Sequence, residues 1–422
     1  SFYRSIQVLD KYISIGTMGK GILLYDDKFE LKFRSTKDVV NAQFIDLEGN
    51  LWIGSNKNIR KITINSNVTK MELENSEIGT VEDIELFNNS MYLATSNGVY
   101  YESKVSGTDQ FIKIPELDID CYDLLCFNRG NASILLIATV NHVYSYTKDR
   151  QLTQLVECGP WKLGQNYQDS NRVIIANYNG LSSLTWNGTE FVDEGYVSGF
   201  EVEIFNFIFN KKGDLFLGAL EDGLFQTSSD FFSKQGVPVS DISAEAGIEK
   251  GSTCLTLIQD TVYAGAINGL YRLIGDQWES VELKNVAFDE YGLHRIVALP
   301  NGETWANIYE ATEGKKWQIG RIVKIDGVHR WERDDFAYFN SDMVHGINVA
   351  HDGAVWLGGV SNIFRYKPNE LAKESATYNT LIRKMVWGEQ VVYAGAGNGS
   401  WKNDTASSIQ LINKFPYSNN RI

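Results

Sequence analysis

The segment Leu-Trp-Ile-Gly-Ser at 51–55 decides the fold, because variants of it recur along the whole chain. It returns as Leu-Phe-Leu-Gly-Ala at 215–219 and as Val-Trp-Leu-Gly-Gly at 355–359. Each copy joins strand-forming apolar residues to a small residue, and a turn and a second apolar run follow. A repeat of about 40 residues that contains several short strands is typical of a β-propeller.

Ten copies of this pattern can be aligned, with spacings of 37 to 51 residues between neighbours. Their small residues are Gly16, Gly54, Ala94, Ala138, Ala176, Gly218, Gly265, Asn307, Gly358 and Gly395. Asn-Gly and Asp-Gly pairs, as at 97–98 and 352–353, supply the positive φ angles of two-residue hairpins. The sequence therefore predicts an all-β protein, a β-propeller of four-stranded antiparallel blades with about ten repeats.

Two blade arrangements fit ten copies. All ten can close one large ring. Alternatively, about three blades in 1–105 remain from a first propeller, and a seven-bladed propeller follows in 106–412. The second arrangement is the prediction taken forward, because seven-bladed rings are much commoner than ten-bladed ones.

The composition excludes several classes of partner. The net charge is −14, and no basic stripe offsets it, so phosphate-mediated binding of nucleic acid is not expected. No apolar run approaches the ~20 residues needed to cross a membrane, and no signal peptide is visible, so we expect no direct membrane contact in this region. The chain is expected to be either a mature protein or an excised fragment.

The four cysteines do not indicate a metal or redox site, because no Cys-x-x-Cys motif is present. Cys121 and Cys126 are five residues apart in one strand-like run, which places them on opposite faces. We expect buried free thiols and neither a cofactor nor a metal.

The repeat resembles the two-component regulator propeller. The segment at 51–56 and the run Gly-Thr-Met-Gly-Lys-Gly-Ile at 16–22 carry this resemblance, and Phe-Pro-Tyr-Ser-Asn-Asn at 415–420 strengthens it. In this family a similar Pro-Tyr-x-x-Asn stretch opens a triple-tyrosine β-sandwich. The resemblance implies that 413–422 begins such a sandwich, which the chain does not contain.

The resemblance also implies a function. Proteins of this family place propellers, the sandwich and one transmembrane helix before a histidine kinase or a DNA-binding output domain. The chain is then expected to be a periplasmic, non-enzymatic sensor region of an inner-membrane regulator. Its expected ligand is a small molecule, first of all a glycan or oligosaccharide, and the full-length protein is expected to be a homodimer.

The candidate ligand-binding residues lie where the copies depart from the repeat, because propeller function usually resides in the loops of one rim. The turn at 309–318 is greatly enlarged in the eighth copy and carries aromatic and charged residues that can stack on sugars and bond their hydroxyls. Loops that join blades add further candidates. The predicted ligand-binding residues are Trp161, Tyr309, Glu310, Lys315, Trp317, Arg321, Trp331 and Arg333.

No catalytic motif is found among the five histidines or the many acids. A carbohydrate-active propeller, either a glycoside hydrolase or a lyase, remains the alternative function. It would need two carboxylates, or a Tyr–His pair, that converge on the central channel. We predict no catalytic residues.

Overall fold

The structure, a computed structural model, describes residues 3–367 with short gaps, together with 384–387 and 390–394. The gaps are 10, 36–37, 47–48, 65, 74–75, 106–107, 167, 198, 229–237, 312–315, 334–335 and 337–341. The chain divides into two units, Ser1–Glu370 and Leu371–Ile422. No helix in the described part of the chain combines the length and hydropathy that a membrane crossing requires.

The first unit begins with two antiparallel sheets. The strands of the first sheet are β1 (Tyr3–Leu9), β2 (Tyr12–Thr17), β3 (Ile22–Asp26) and β4 (Leu31–Arg34). The strands of the second sheet are β5 (Val40–Ile45), β6 (Leu51–Ser55) and β7 (Ile59–Ile62). These two sheets contain the first two copies of the repeat, and Ile22, Leu51 and Ile53 are buried between them.

Seven further sheets, here called blades 1 to 7, follow in chain order. A separate strand, β8 (Val68–Glu72), precedes them. Blade 1 contains β9 (Val81–Phe87), β10 (Ser90–Thr95), β11 (Gly98–Val105) and β12 (Thr108–Lys113). Blade 2 contains β13 (Cys121–Arg129), β14 (Ala132–Thr139), β15 (His142–Thr147) and β16 (Leu152–Glu157). Blade 3 contains β17 (Pro160–Gln165), β18 (Arg172–Asn177), β19 (Gly180–Trp186) and β20 (Phe191–Tyr196).

Blades 4 to 7 repeat this meander. Blade 4 contains β21 (Ile204–Phe209), β22 (Asp214–Ala219), β23 (Leu224–Ser228) and β24 (Ser240–Asp241), and the short helix α1 (Ser243–Ala246) follows. Blade 5 contains β25 (Cys254–Ile258), β26 (Thr261–Ala266), β27 (Gly269–Ile274) and β28 (Gln277–Ser280). Blade 6 contains β30 (Tyr291–Ala298), β31 (Thr304–Glu310), β32 (Trp317–Ile325) and β33 (Val328–Glu332), with β29 (Leu283–Lys284) parallel to β33. Blade 7 contains β34 (Val344–Val349), β35 (Val355–Gly359) and β36 (Asn362–Tyr366).

The seven blades form a closed ring, because the strand that precedes blade 1 completes blade 7. Strand β8 pairs antiparallel with β36, so that Val68 lies opposite Tyr366 and Glu72 lies opposite Asn362. The Leu73 amide also donates to the Ser361 carbonyl at 2.8 Å. Blade 7 thus has four strands, and β36, the last strand of its own sequence, is paired on both edges.

The ring therefore covers residues 68–367, whereas the sequence placed seven blades in 106–412. The third copy of the repeat, at Ala94, is blade 1 of the ring, and the ninth copy, at Gly358, is blade 7. The boundaries differ because the closing strand comes from the N-terminal side of the ring. In the second unit, β37 (Lys384–Trp387) and β38 (Gln390–Ala394) form a hairpin. The predicted sandwich start at 413–422 lies outside the described residues.

The small residue of the repeat lets neighbouring blades approach closely. A Cβ added at Gly218 would lie 2.1 Å from the Thr253 carbonyl oxygen, at the entry to the next blade. At Gly358 it would lie 2.3 Å from Val81, which begins blade 1. The predicted role of the glycine is thus confirmed at these two positions.

Candidate functional site

A β-bulge recurs near the start of the innermost strand in most blades. At the bulge, one residue of the inner strand has no partner on the second strand. In blade 1 this residue is Glu82, because Val81 and Asp83 pair with consecutive residues of β10. The equivalent residues are Tyr122 in blade 2, Trp161 in blade 3, Phe205 in blade 4, His294 in blade 6 and His345 in blade 7. These residues share one level at the end of the central channel where the inner strands begin, here called the channel mouth.

One group at the mouth, here called the Trp161 cluster, consists of Tyr122, Trp161, Tyr178 and Glu203. The Trp161 ring lies 4.6 Å, centroid to centroid, from both Tyr122 and Tyr178. Its Nε1 donates to Glu203 Oε1 at 2.9 Å, which fixes the orientation of the indole. The Tyr178 side chain is 39% exposed, so the cluster offers an accessible aromatic surface.

A second group, here called the Trp317 cluster, consists of His294, His345, Tyr309 and Trp317. Tyr309 is the penultimate residue of β31 and Trp317 begins β32, and their ring centroids are 5.2 Å apart. The His294 ring lies 5.1 Å from Trp317 and 5.3 Å from His345. The enlarged turn of blade 6 thus carries aromatic rings that contact His294, the bulge residue of blade 6, and His294 in turn contacts His345, the bulge residue of blade 7.

Glu82, the bulge residue of blade 1, lies next to the Trp317 cluster at the channel mouth. His345 Nδ1 lies 3.8 Å from Glu82 Oε2. Burial, followed by the nearby Arg295 guanidinium, lowers the pKa of His345 to about 4, so this imidazole is neutral at pH 7. Burial raises the pKa of Glu82, with the Arg295 charge acting in the opposite direction. The pair therefore combines a neutral imidazole with a carboxyl group that is easier to protonate than usual.

The residues that pair with the small residue of each repeat form the next level of the channel wall. They are Asp83, Asp123, Lys162, Asn206, Cys254, Arg295 and Gly346, in blades 1 to 7. Asp83 Oδ2 accepts from the Leu124 amide at 3.1 Å, and Asp123 Oδ2 accepts from the Leu163 amide at 2.7 Å. Each aspartate thus satisfies an amide on the inner edge of the next blade.

Lys162 and Asp123 form a buried ion pair at this level. The ammonium group of Lys162 donates to Asp123 Oδ1, and the Asp123 side chain is almost wholly buried. Burial raises the pKa of Asp123, and the charge of Lys162 acts in the opposite direction. This pair joins blades 2 and 3 across the channel wall.

Glu85 lies two residues after Asp83 on β9. Burial, reinforced by the neighbouring Asp83 charge, raises the pKa of Glu85 to about 8. Asn348 Nδ2 lies 3.4 Å from Glu85 Oε2 and donates to the Ile84 carbonyl at 2.9 Å. The described residues contain no group of three or more His, Cys, Asp or Glu side chains arranged to hold a metal ion.

Three of the residues predicted from the sequence lie at the channel mouth, namely Trp161, Tyr309 and Trp317. Glu310 is beside them and pairs with Lys316 at 3.7 Å. Lys315 lies outside the described residues.

The remaining predicted residues lie elsewhere. Arg321 and Arg333 line a small pocket that Trp305 and Tyr366 also line, so it lies between blades 6 and 7. The Arg321 guanidinium lies 5.4 Å from the centroid of the Tyr366 ring. Trp331 is on β33 and is only 4% exposed, because it packs in the core between blades 5 and 6. The structure therefore does not bring these three residues to the channel mouth.

Sequence reasoning missed Glu82, Tyr122, His294 and His345. Each one looks like an ordinary strand residue when its own repeat is considered alone. The signal is positional, since each precedes by one residue the position that pairs with the small residue of its repeat. An alignment of the copies by strand pairing would have revealed it.

The fold is shared with solved β-propellers. The extracellular domain of a protein assigned to the hybrid two-component systems of B. thetaiotaomicron superposes with a TM-score of 0.63 at 14% identity, over 87% of this chain and 52% of that one. A one-component system domain of the same organism gives 0.41 at 14% identity, over 85% and 53%. The virginiamycin B lyase of Staphylococcus aureus gives 0.50 at 12% identity, over 71% and 99%.

The two superpositions with TM-scores of 0.63 and 0.50 confirm the predicted β-propeller fold, and the first of them confirms, at the level of fold, the resemblance to the regulator propellers. The chain spans about half the length of the two B. thetaiotaomicron domains. No protein-family model matches the chain. No curated protein sequence matches it either.

Proposed function

We propose that this chain is an extracytoplasmic ligand-binding region of a bacterial signal-transduction regulator and that its ligand is a glycan or oligosaccharide. The observation that carries the proposal is the pair of aromatic clusters at the channel mouth, around Trp161 and Trp317. Aromatic faces bind the apolar faces of sugar rings, and the carboxyl and imidazole groups between them can bond hydroxyls. The shared fold with sensor domains of B. thetaiotaomicron supports the same proposal.

Sensing requires that the ligand favour one arrangement of the whole protein over another. A ligand bound at the mouth contacts several blades at once, since the bulge residues come from consecutive blades. Its binding energy can therefore be coupled to how the ring packs on neighbouring domains or on a second copy in a full-length homodimer. The proposed location of the region is the periplasm.

The test is calorimetric titration of the protein with a panel of neutral oligosaccharides, with Trp317→Ala and Trp161→Ala as variants. Each substitution should weaken binding at least tenfold while the circular dichroism spectrum stays unchanged. Trp52→Ala is the control, because Trp52 is an exposed tryptophan of the N-terminal sheets, outside the ring. If an oligosaccharide binds the parent protein and both cluster variants with equal affinity, the channel mouth is not its binding site.

A carbohydrate-active enzyme is the second candidate, favoured by the contact between His345 and Glu82. A neutral imidazole beside a carboxyl group of raised pKa is a combination suited to proton transfer. The same panel separates the two functions. Sensing predicts thermal stabilisation with the oligosaccharide intact, whereas release of reducing ends or unsaturated products, lost in His345→Ala, would establish the enzyme.

A further inference from the structure

Arg295 has an unusual environment. It follows the bulge residue His294 on β30 and pairs across the sheet with Asn307. Its Nε is buried and finds no hydrogen-bond partner in the part of the chain that the structure describes. Among the described residues, no carboxylate lies within ion-pair distance of its guanidinium group, unlike Lys162 at the same level, which is paired with Asp123. The side chain as a whole is partly exposed to the channel.

A buried Nε without an acceptor is costly, because the guanidinium group cannot lose its proton and the N–H has given up its hydrogen bond to water. Its charge reaches the surrounding groups, since it contributes to the pKa shifts of Glu82, His345, Lys162 and Cys254. Glu82 and Asp83 lie on blade 1, which is separated from the blade of Arg295 by blade 7. Glu82 is instead within 3.8 Å of His345, and Asp83 bonds the Leu124 amide.

The position of Arg295 relates it to the proposed ligand site. Its neighbour His294 contacts both Trp317 and His345, so Arg295 stands one residue after a member of the Trp317 cluster on β30. A sugar stacked on Trp317 would place one of its substituents at the channel entrance above Arg295. The planar fork of a guanidinium group matches two oxygens of a carboxylate or of a sulfate ester.

We propose that Arg295 binds an anionic substituent, a carboxylate or a sulfate ester, on the saccharide that occupies the channel mouth. This inference rests on the function proposed above and narrows it to acidic saccharides. The overall charge of −14 repels such ligands, so their recognition depends on a local cation that has no ion-pair partner among the described residues. Arg295 meets that requirement.

The experiment compares matched pairs of saccharides on the full chain. Digalacturonate is titrated against neutral galactobiose, and a sulfated disaccharide is titrated against its desulfated form. The variants are Arg295→Met, Arg295→Lys and the control Arg330→Met, which removes an exposed arginine from β33 of the same blade. Thermal unfolding of each free protein is measured in parallel.

The protein and Arg330→Met should bind one acidic saccharide at least tenfold more tightly than its neutral counterpart. Arg295→Met should lose this preference and bind both members of the pair equally, and Arg295→Lys should keep only part of it. The free Arg295→Met protein should be no less stable than the parent, because the substitution removes a buried Nε that has no acceptor among the described residues. A lower unfolding temperature would instead indicate a structural role for Arg295 and would overturn the inference.

The outcomes also separate the two proposals. If neutral saccharides bind, acidic ones bind no better and Arg295→Met changes neither, the role of Arg295 is wrong while the sensor proposal stands. If no saccharide of either kind binds, the proposed function fails as well. Preference for the carboxylate pair or for the sulfate pair identifies which anion the site takes.

Discussion

Val68 lies directly opposite Tyr366 in blade 7, although the two residues stand at opposite ends of the ring's sequence. Both are buried, Val68 at 6% and Tyr366 at 2% exposure, and they belong to the core cluster that includes Phe364 and Trp305. The ring is thus closed by apolar packing as well as by the backbone hydrogen bonds of β8.

Closure through β8 predicts that a charge at Val68 opens the ring. Val68→Asp would bury an unpaired carboxylate and should lower the free energy of unfolding by at least ~3 kcal/mol. Thr69→Asp is the control, because the adjacent residue faces the opposite side of the strand and is exposed. It should change stability by no more than ~0.5 kcal/mol. Urea denaturation measures both, and equal effects of the two substitutions would contradict closure through this strand.

The repeat predicted the blades, but it did not predict where the ring closes. The motif around Gly358 identifies the strands of blade 7, since the hairpins are local and their turns carry Gly and Asn. The outer strand of each blade has a weaker pattern. Nothing in Val68–Glu72 alone shows that its partner is Asn362–Tyr366 rather than its sequence neighbour β7. A long-range pairing of this kind depends on the geometry of the whole ring.

A second prediction concerns the close approach of blades 7 and 1. Gly358→Ala would place a methyl group 2.3 Å from Val81 Cγ1 and 2.8 Å from Val81 Cβ. Blade 1 would have to move, which should cost about 1–3 kcal/mol. Gly54→Ala occupies the same place in the repeat of the second N-terminal sheet, where the added Cβ meets atoms only at 3.9 Å. That control should be nearly neutral in thermal unfolding, and a similar loss in both variants would contradict the packing argument.

A third prediction concerns the ion pair between blades 2 and 3. Lys162→Met should destabilise the protein by about 3–5 kcal/mol, because it leaves the Asp123 carboxylate buried without its partner. The double variant Lys162→Met, Asp123→Asn should recover part of this loss, since the amide carries no charge and its oxygen can still accept from the Leu163 amide. Chemical denaturation of both single variants and the double variant gives the coupling free energy. Strict additivity would show that the two side chains do not interact.

The sequence predicted aromatic residues of the candidate site but not the bulge residues His294 and His345. Trp161, Tyr309 and Trp317 stand out in the sequence as aromatic residues in segments predicted to be loops, although the structure places all three on strands. His294 and His345 lie inside regular strands, and only the bulge places them at the channel mouth. Trp331 shows the opposite error, since a tryptophan flanked by charges suggested an exposed loop, yet the residue is on β33 and packs inward.

The last prediction follows from Glu85, whose pKa is raised to about 8 in the folded protein by burial. The reference value is 4.5, so between pH 4.5 and 8 the folded state binds more protons at this site than the unfolded state does. The stability of the protein must then fall as pH rises through this interval, with the loss complete above about pH 8.

Glu85→Gln replaces the protonated carboxyl group by an uncharged amide of the same shape. The variant should therefore match the parent near pH 5 and exceed it by a few kcal/mol near pH 9, as measured by urea denaturation at both pH values. Glu190→Gln, at an exposed site, should show no such divergence. A Glu85→Gln protein that is less stable than the parent at pH 9 would mean that the charged carboxylate is stabilised in the channel wall, and the assignment of burial as the dominant influence on Glu85 would be wrong.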